Sequence, residues 1–153
     1  MKIKFEKPTL QDIDAMQKLI KPQVEKGIIL HRSDDELAAN IRSYFIAKYA
    51  QDIIGFCSLQ IYSKDLAELR SLVVKDKFRR QGVGRGLVVN LEKEGKNLGL
   101  KQIFALTYER GFFESLGYME IDKDKLPEQK IWADCIKCKL FPICKEIAFI
   151  KQI

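Results

Sequence analysis

Between residues 79 and 86 the chain reads Arg-Arg-Gln-Gly-Val-Gly-Arg-Gly. Glycines let a backbone come close to a ligand, and the free N–H groups that open a helix point at whatever sits there. The helix dipole adds a partial positive charge, and Arg79, Arg80 and Arg85 add full ones. Such a stretch suits phosphate. The bland reading is a glycine-rich turn on a basic surface. Two named phosphate motifs do not fit: no Gly-Lys-Ser/Thr closes the stretch, and no G-x-G-x-x-G stands early in a strand–helix–strand unit.

Glu68 is the second candidate, a carboxylate inside the strand-like run Leu-Ala-Glu-Leu-Arg-Ser-Leu-Val-Val at 66–74. A carboxylate desolvated there is a stronger proton acceptor, fit for general-base work directly or through water. The alternative is a strand-edge glutamate paired with Arg70 or a lysine. The third candidate is Cys135-x-x-Cys138 with Cys144 beyond it. That spacing chelates zinc, but a tetrahedral structural site needs a fourth ligand, which Cys57 or His31 supplies only if the fold brings it close. Buried packing thiols and a redox pair are the competing readings, so the expected metal is none, with zinc at Cys135, Cys138 and Cys144 as the alternative.

These residues need a scaffold. Residues 2–7 alternate as an opening strand with Ile3 and Phe5 on one face. Thr9 and Asp12 approximate a capping box for a helix carrying Leu10, Ile13, Met16, Ile20 and Val24, which Pro22 should end or kink near Lys21. Ser33 with Glu36 opens a short helix that turns Leu37 and Ile41 inward. Strands at 44–49, 53–62 and 66–74 are separated by turn-forming residues, which predicts an antiparallel meander. After the glycine stretch comes a helix with Leu87, Val88, Leu91 and Leu98 on its core face and Gly99 as its stop. Residues 102–107 read as a buried strand, 111–116 as a short helix ending at Gly117, and 118–121 as a strand. A last strand-like piece covers 147–150. The order predicts an α+β fold with a partly parallel sheet.

The 153 residues suit a single domain, with 127–153 as a cysteine-containing C-terminal extension. A hydrophobic share of 46% and a charged share of 31% rule out a disordered chain. No apolar run approaches the roughly 18 residues of a membrane span, and the N-terminal residues lack an apolar signal core. The expectation is a cytoplasmic protein with reduced thiols. The net charge of +6 suits nucleic acid or a small polyphosphate. A nucleic-acid binder needs a basic stripe with exposed aromatics, whereas the arginines here concentrate at one glycine loop.

Arg79-Arg80-Gln81-Gly82-Val83-Gly84 fits the R/Q-x-x-G-x-G/A signature of the GNAT family of N-acetyltransferases. Leu72-Val73-Val74 before it and Phe112-Phe113-Glu114-Ser115-Leu116-Gly117-Tyr118 after it resemble further segments of that family, so the resemblance covers residues 1–121. It implies the GNAT acyl-CoA N-acyltransferase fold, a partly parallel central sheet flanked by helices and splayed between Leu66–Val74 and Gln102–Thr107. It also implies acetyl-CoA as cosubstrate, its pyrophosphate on the amides of Arg79, Arg80, Gln81, Gly82, Val83, Gly84 and Arg85. The backbone of Ser71, Leu72, Val73 and Val74 would hold the acetyl carbonyl and pantetheine, with Leu106 and Phe113 beside them.

A narrower resemblance runs through 27–33, 67–74, 103–107 and the tail from Leu126 to Cys144, which look like the short single-domain N-acetylglutamate synthases. It implies Glu68 as general base and Thr107 near the departing sulfur. Relatives with a tyrosine acid carry it where this chain has Phe113, which leaves Thr107 or Tyr108 as substitutes. For an acceptor with two carboxylates the resemblance points to His31 and Arg32, and Lys130 and Lys145 in the tail are weaker candidates for the second carboxylate. The activity implied is acetylation of the α-amine of L-glutamate, the first step of arginine biosynthesis. Other amines (a polyamine, an aminoglycoside, a protein N-terminus) and a non-catalytic CoA- or nucleic-acid-binding module are the alternatives. The expected partners are a small-molecule amine and, as an open option, a second copy of the chain, with no nucleic acid and no membrane.

Overall fold

The computed structural model describes residues 2–127 and 146–153. In chain order the elements are β1 (Ile3–Glu6), α1 (Ile13–Glu25), α2 (Asp34–Ala39), β2 (Tyr44–Tyr49), β3 (Asp52–Ile61), β4 (Leu66–Val74), α3 (Val83–Leu98), β5 (Gln102–Thr107), α4 (Arg110–Ser115), β6 (Met119–Ile121) and β7 (Ile147–Gln152). The strands form one seven-stranded sheet in the order β1-β2-β3-β4-β5-β7-β6. Every neighbouring pair is antiparallel except β4–β5, which is parallel. The expected meander is present, and β7 inserts between β5 and β6. Among the described residues no helix is long and apolar enough to cross a membrane.

Helices cover both sheet faces, because strand alternation splits the apolar residues into two sets. On one face Leu87, Val88 and Leu91 of α3 and Phe113 of α4 pack on Ala67, Leu69, Ile103, Ala105 and Phe149. On the other, Ile13, Met16 and Ile20 of α1 and Leu37 of α2 pack on Tyr44, Ile46, Phe56 and Val73.

The structure corrects two expectations about helices. α1 does not end at Pro22 but continues to Glu25. Pro22 is exposed, so water can solvate the carbonyl it leaves unbonded, while Val24 still packs on the second core. The stop is Gly27, at φ 74°, with Ile28 N–H bonded to Gln23 O at 3.0 Å and Gly27 N–H to Val24 O at 3.0 Å. Leu98 is not a core residue; it is 61% exposed. The core position in that last turn is Gly95, which Leu100 covers after the chain reverses at Gly99. Leu10 is likewise exposed, in a single 3-10 turn ahead of α1.

Two irregularities shape the middle of the sheet. β4 and β5 pair only at Leu66–Gln102, Ala67–Ile103 and Glu68–Phe104, and no further pair forms toward their C-terminal ends. In β4 the register against β3 slips between Phe56 and Ser58, and Ser71 takes φ 58°. This bulge adds a residue, so Leu72 and Val74 return to the face that Ala67 and Leu69 occupy. The result is an opening between two parallel strands at their carboxyl ends, where α/β sheets bind ligands.

Candidate active site

The glycine loop leaves β4 through Lys75, whose N–H bonds Ile54 O at 2.7 Å, and runs through a 3-10 turn to Arg79. Arg80 and Gly82 both adopt left-handed backbone, at φ 62° and 83°. For Arg80 that conformation is strained, and such strain collects at ligand loops. The first α3 amide to reach a helical carbonyl is that of Gly86, bonded to Gly82 O at 2.9 Å. The amides of Val83, Gly84 and Arg85 therefore have no acceptor in the helix and point out of its N-terminus beside the strand opening. Arg79, Arg80 and Arg85 are exposed around them.

The three glycines do different work. A Cβ on Gly82 would meet nothing within 4 Å, so the space before it is open. One on Gly84 would lie 3.3 Å from the Phe112 ring. One on Gly86 would fall 2.1 Å from Phe5 Cζ, so Gly86 serves the packing of β1 on α3. Val83 sends its side chain into the core and offers only its amide. A phosphate chain fits this cradle of free amides, open space and guanidiniums.

Glu68 is 2% exposed and sits in a central strand, not at an edge. Its Oε1 accepts a hydrogen bond from the Tyr62 hydroxyl at 2.9 Å. The Tyr62 ring in turn stacks on Phe104, Glu68's register partner on β5, with centroids 5.8 Å apart. The carboxylate is thus held at the last paired position before the strands part.

Thr107 is buried at the end of β5 and accepts from Glu109 N–H at 2.8 Å. It stands three residues beyond Phe104, about 10 Å along the strand, and pleat alternation turns it to the α3 face. Thr107 and Glu68 therefore line different parts of the opening. Tyr108 is exposed beyond Thr107, and Leu106 is half-buried. Phe113 is buried in the core, 5.2 Å from the Tyr118 ring and 6.3 Å from Phe149. Phe112 is the aromatic of α4 that reaches the glycine loop.

His31 and Arg32 lie in the connection between α1 and α2, which Gln17 pins by donating to Arg32 O at 2.8 Å and to Asp34 Oδ1 at 3.0 Å. His31 is exposed and Arg32 half-buried. Burial pushes the Tyr44 phenol above its usual range, and the positive charges of Arg70 and Arg32, together with a hydrogen bond to Ser58, oppose that shift. Tyr44, Ser58 and Arg70 are register partners across β2, β3 and β4, and Ser58 Oγ donates to Arg70 O at 3.2 Å. Tyr62, Arg70, Tyr44 and Phe112 were not singled out as site residues in the sequence. Arg70 was recoverable, because the period of two puts it on the face of Glu68; Tyr62 and Tyr44 depend on cross-strand register.

Lys130, Lys145, Cys135, Cys138 and Cys144 lie outside the described residues. Cys57 is fully buried, and burial raises its thiol well above the usual range, which makes it unsuited to bind metal or react. Among the described residues no group of three or more His, Cys, Asp or Glu side chains is gathered for a metal ion.

Comparison with known proteins agrees with this geometry. The chain is 40% identical over 144 residues to an "uncharacterized N-acetyltransferase" of Chlorobaculum tepidum, covering 94% of this chain and 92% of that protein. It is 29% identical over 121 residues to the amino-acid acetyltransferase of Neisseria meningitidis, covering 78% of this chain but 28% of that longer protein. Its fold matches N-acetylglutamate synthase of Neisseria gonorrhoeae, solved with coenzyme A and N-acetyl-glutamate. That match has a TM-score of 0.88 at 23% identity and covers 99% of this chain and 35% of that one. The acetyltransferase (GNAT) family model matches residues 12–118, from the start of α1 through the glycine loop to α4. The chain belongs to the acetyltransferase (GNAT) family.

Proposed function

We propose that the chain transfers the acetyl group of acetyl-CoA to the α-amine of a small amino acid, with L-glutamate as acceptor. The observation that carries this reading is the opening between β4 and β5, with buried Glu68 at its inner end and the free amides of α3 at its mouth. When bound, acetyl-CoA supplies an acetyl group activated as a thioester. The amides of Val83, Gly84 and Arg85, with the neighbouring guanidiniums, would hold its phosphates. The unpaired stretch of β4 at Ser71 and Leu72 would offer backbone N–H groups to the acetyl carbonyl as charge develops there.

Glu68 would take the proton of the acceptor's ammonium, directly or through one water, so that a neutral amine attacks. The Tyr62 hydroxyl donates to Oε1 of that carboxylate at 2.9 Å and so fixes its position. Protonation of the departing thiolate would fall to Thr107 or Tyr108. Because a thiol has a pKa near about 8.5, this step needs little help. Inward-turned Arg32 and Arg70 favour an anionic acceptor over a polyamine. The product would be N-acetyl-L-glutamate, in line with the similarity to amino-acid acetyltransferases.

The test is free-thiol release from acetyl-CoA with purified protein and a panel of amines. Glutamate should head the panel. Glu68→Gln should lower kcat by about 100-fold or more with CoA affinity unchanged. A panel headed by spermidine or a peptide N-terminus would remove the glutamate assignment, and near-normal turnover in Glu68→Gln would remove the base.

A further inference from the structure

We propose that Ser58 and Cys57 of β3 are positioning residues: together they hold the Arg70 carbonyl and so aim the Ser71 N–H into the strand opening, at the acetyl carbonyl. This rests on the reading above in which unpaired β4 amides meet that carbonyl, and it assigns the side chains that fix their direction.

Phe56 pairs with Val73 and Ser58 with Arg70, so two residues of β4, Ser71 and Leu72, stand opposite Cys57. Ser71 adopts left-handed backbone there, at φ 58°. A residue with a side chain keeps that conformation only where its surroundings over-determine it. Here the surroundings bring two donors to one oxygen. Ser58 Oγ donates to Arg70 O at 3.2 Å, and Cys57 Sγ approaches the same oxygen at 3.5 Å, closer than its other acceptor, Ser58 O, at 3.7 Å. Consecutive strand residues face opposite sides of a sheet, so the carbonyl is gripped from both. Cys57 belongs to the core under α3, while Ser58 lies in line with Tyr44 of the other core. Ser58 is 2% exposed and Cys57 fully buried, so water cannot replace either donor. Burial also keeps the Cys57 thiol protonated, as a donor must be.

A peptide unit is planar and trans, so its C=O and N–H point opposite ways. With the Arg70 carbonyl turned to β3, the Ser71 N–H points away from β3, toward β5. Glu68–Phe104 is the last β4–β5 pair, so that N–H faces the opening. There the thioester oxygen would gain negative charge as the amine attacks. An N–H whose aim drifts loses most at the transition state, where that charge is largest.

The experiment is infrared difference spectroscopy of acetyl-CoA, isotope-labelled at its thioester carbonyl and bound to the full chain, with steady-state kinetics beside it. A hydrogen bond to the oxygen lowers the C=O stretch. Wild type is compared with Ser58→Ala, Cys57→Ala and Ser58→Thr. The stretch should be lowest in wild type, rise in Ser58→Ala, and rise less in Cys57→Ala, because a thiol is the weaker donor. Ser58→Thr keeps the hydroxyl and should recover part of the shift. With L-glutamate as acceptor, kcat should fall by about 10- to 100-fold in Ser58→Ala with the KM for acetyl-CoA in place.

A stretch unmoved in both alanine variants would overturn the proposal even if kcat fell, because the two side chains would then serve the fold alone. The spectrum needs no acceptor. Wild type that shows the lowered stretch but acetylates spermidine in place of glutamate would remove the glutamate reading and leave the proposal standing. Should Ser58→Ala fail to fold, Cys57→Ala, which removes the second donor, carries the same test.

Discussion

Gly82 sits at φ 83° as the N-cap of α3, and a Cβ added there meets no atom within 4 Å. Gly82→Ala therefore brings no clash, and its cost is purely conformational, about 1–2 kcal/mol for an L-residue in left-handed backbone. That energy has two destinations. If the loop keeps its shape in the free enzyme, the strain appears as lost stability, about 2–4 °C of Tm per kcal/mol for a chain of this size. If the free loop relaxes, CoA binding must rebuild the geometry, and the strain appears as a Kd raised by about 5- to 30-fold. The two losses should sum to the same conformational cost. Gly82→Asn separates conformation from added bulk, because asparagine tolerates this region, and it should recover most of both. Arg85→Ala keeps its amide and removes only an exposed charge, so it should cost less than about 1 kcal/mol of CoA binding. Calorimetric titration with CoA and thermal melts of the three variants give every term. Gly82→Asn as damaging as Gly82→Ala would refute the conformational account. So would Arg85→Ala weakening CoA more than the combined loss in Gly82→Ala.

Tyr62→Phe keeps the ring on Phe104 but deletes the hydroxyl that holds Glu68, so kcat should fall about tenfold while the KM for acetyl-CoA holds; an unchanged kcat would show the bond to be idle. Gly86→Ala drives a Cβ into the Phe5 ring and should destabilise the fold by about 1–3 kcal/mol in urea unfolding. The CoA Kd should not move, and adding Phe5→Leu should restore part of the stability. Burial, together with the charge and hydrogen bond of Glu92, holds the Tyr118 phenol above its usual range. Stability linked to that raised value is fully present below the unfolded pKa of about 10 and is lost as pH rises through the folded one. Tyr118→Phe should therefore flatten the fall of Tm above about pH 10, and an equally steep fall would remove Tyr118 as its source.

Features that depend on local chemistry were legible from the residues alone. The meander, the Ser33 cap, whose side chain accepts Glu36 N–H at 3.1 Å, and the stop at Gly99 follow from residues within a few positions of one another. The glycine loop was legible for the same reason, since helix-opening amides and flanking arginines are adjacent in the chain. Glu68 was legible because one carboxylate in an apolar strand breaks the pattern.

Pro22 and Leu98 misled because their fates depend on what faces them: water at Pro22, and at the end of α3 a reversal that puts Leu100 over Gly95. The place of β7 between β5 and β6 could not be read from order, since strand pairing joins residues distant in sequence. The same holds for the site's inner wall. The Tyr62 hydroxyl reaches Glu68 only because β3 and β4 form a hairpin in one register. Arg70 stands in line with Ser58 and Tyr44 only because β2, β3 and β4 pair in one register. Side-chain convergence across elements is set by packing of the whole chain, and no local spacing encodes it.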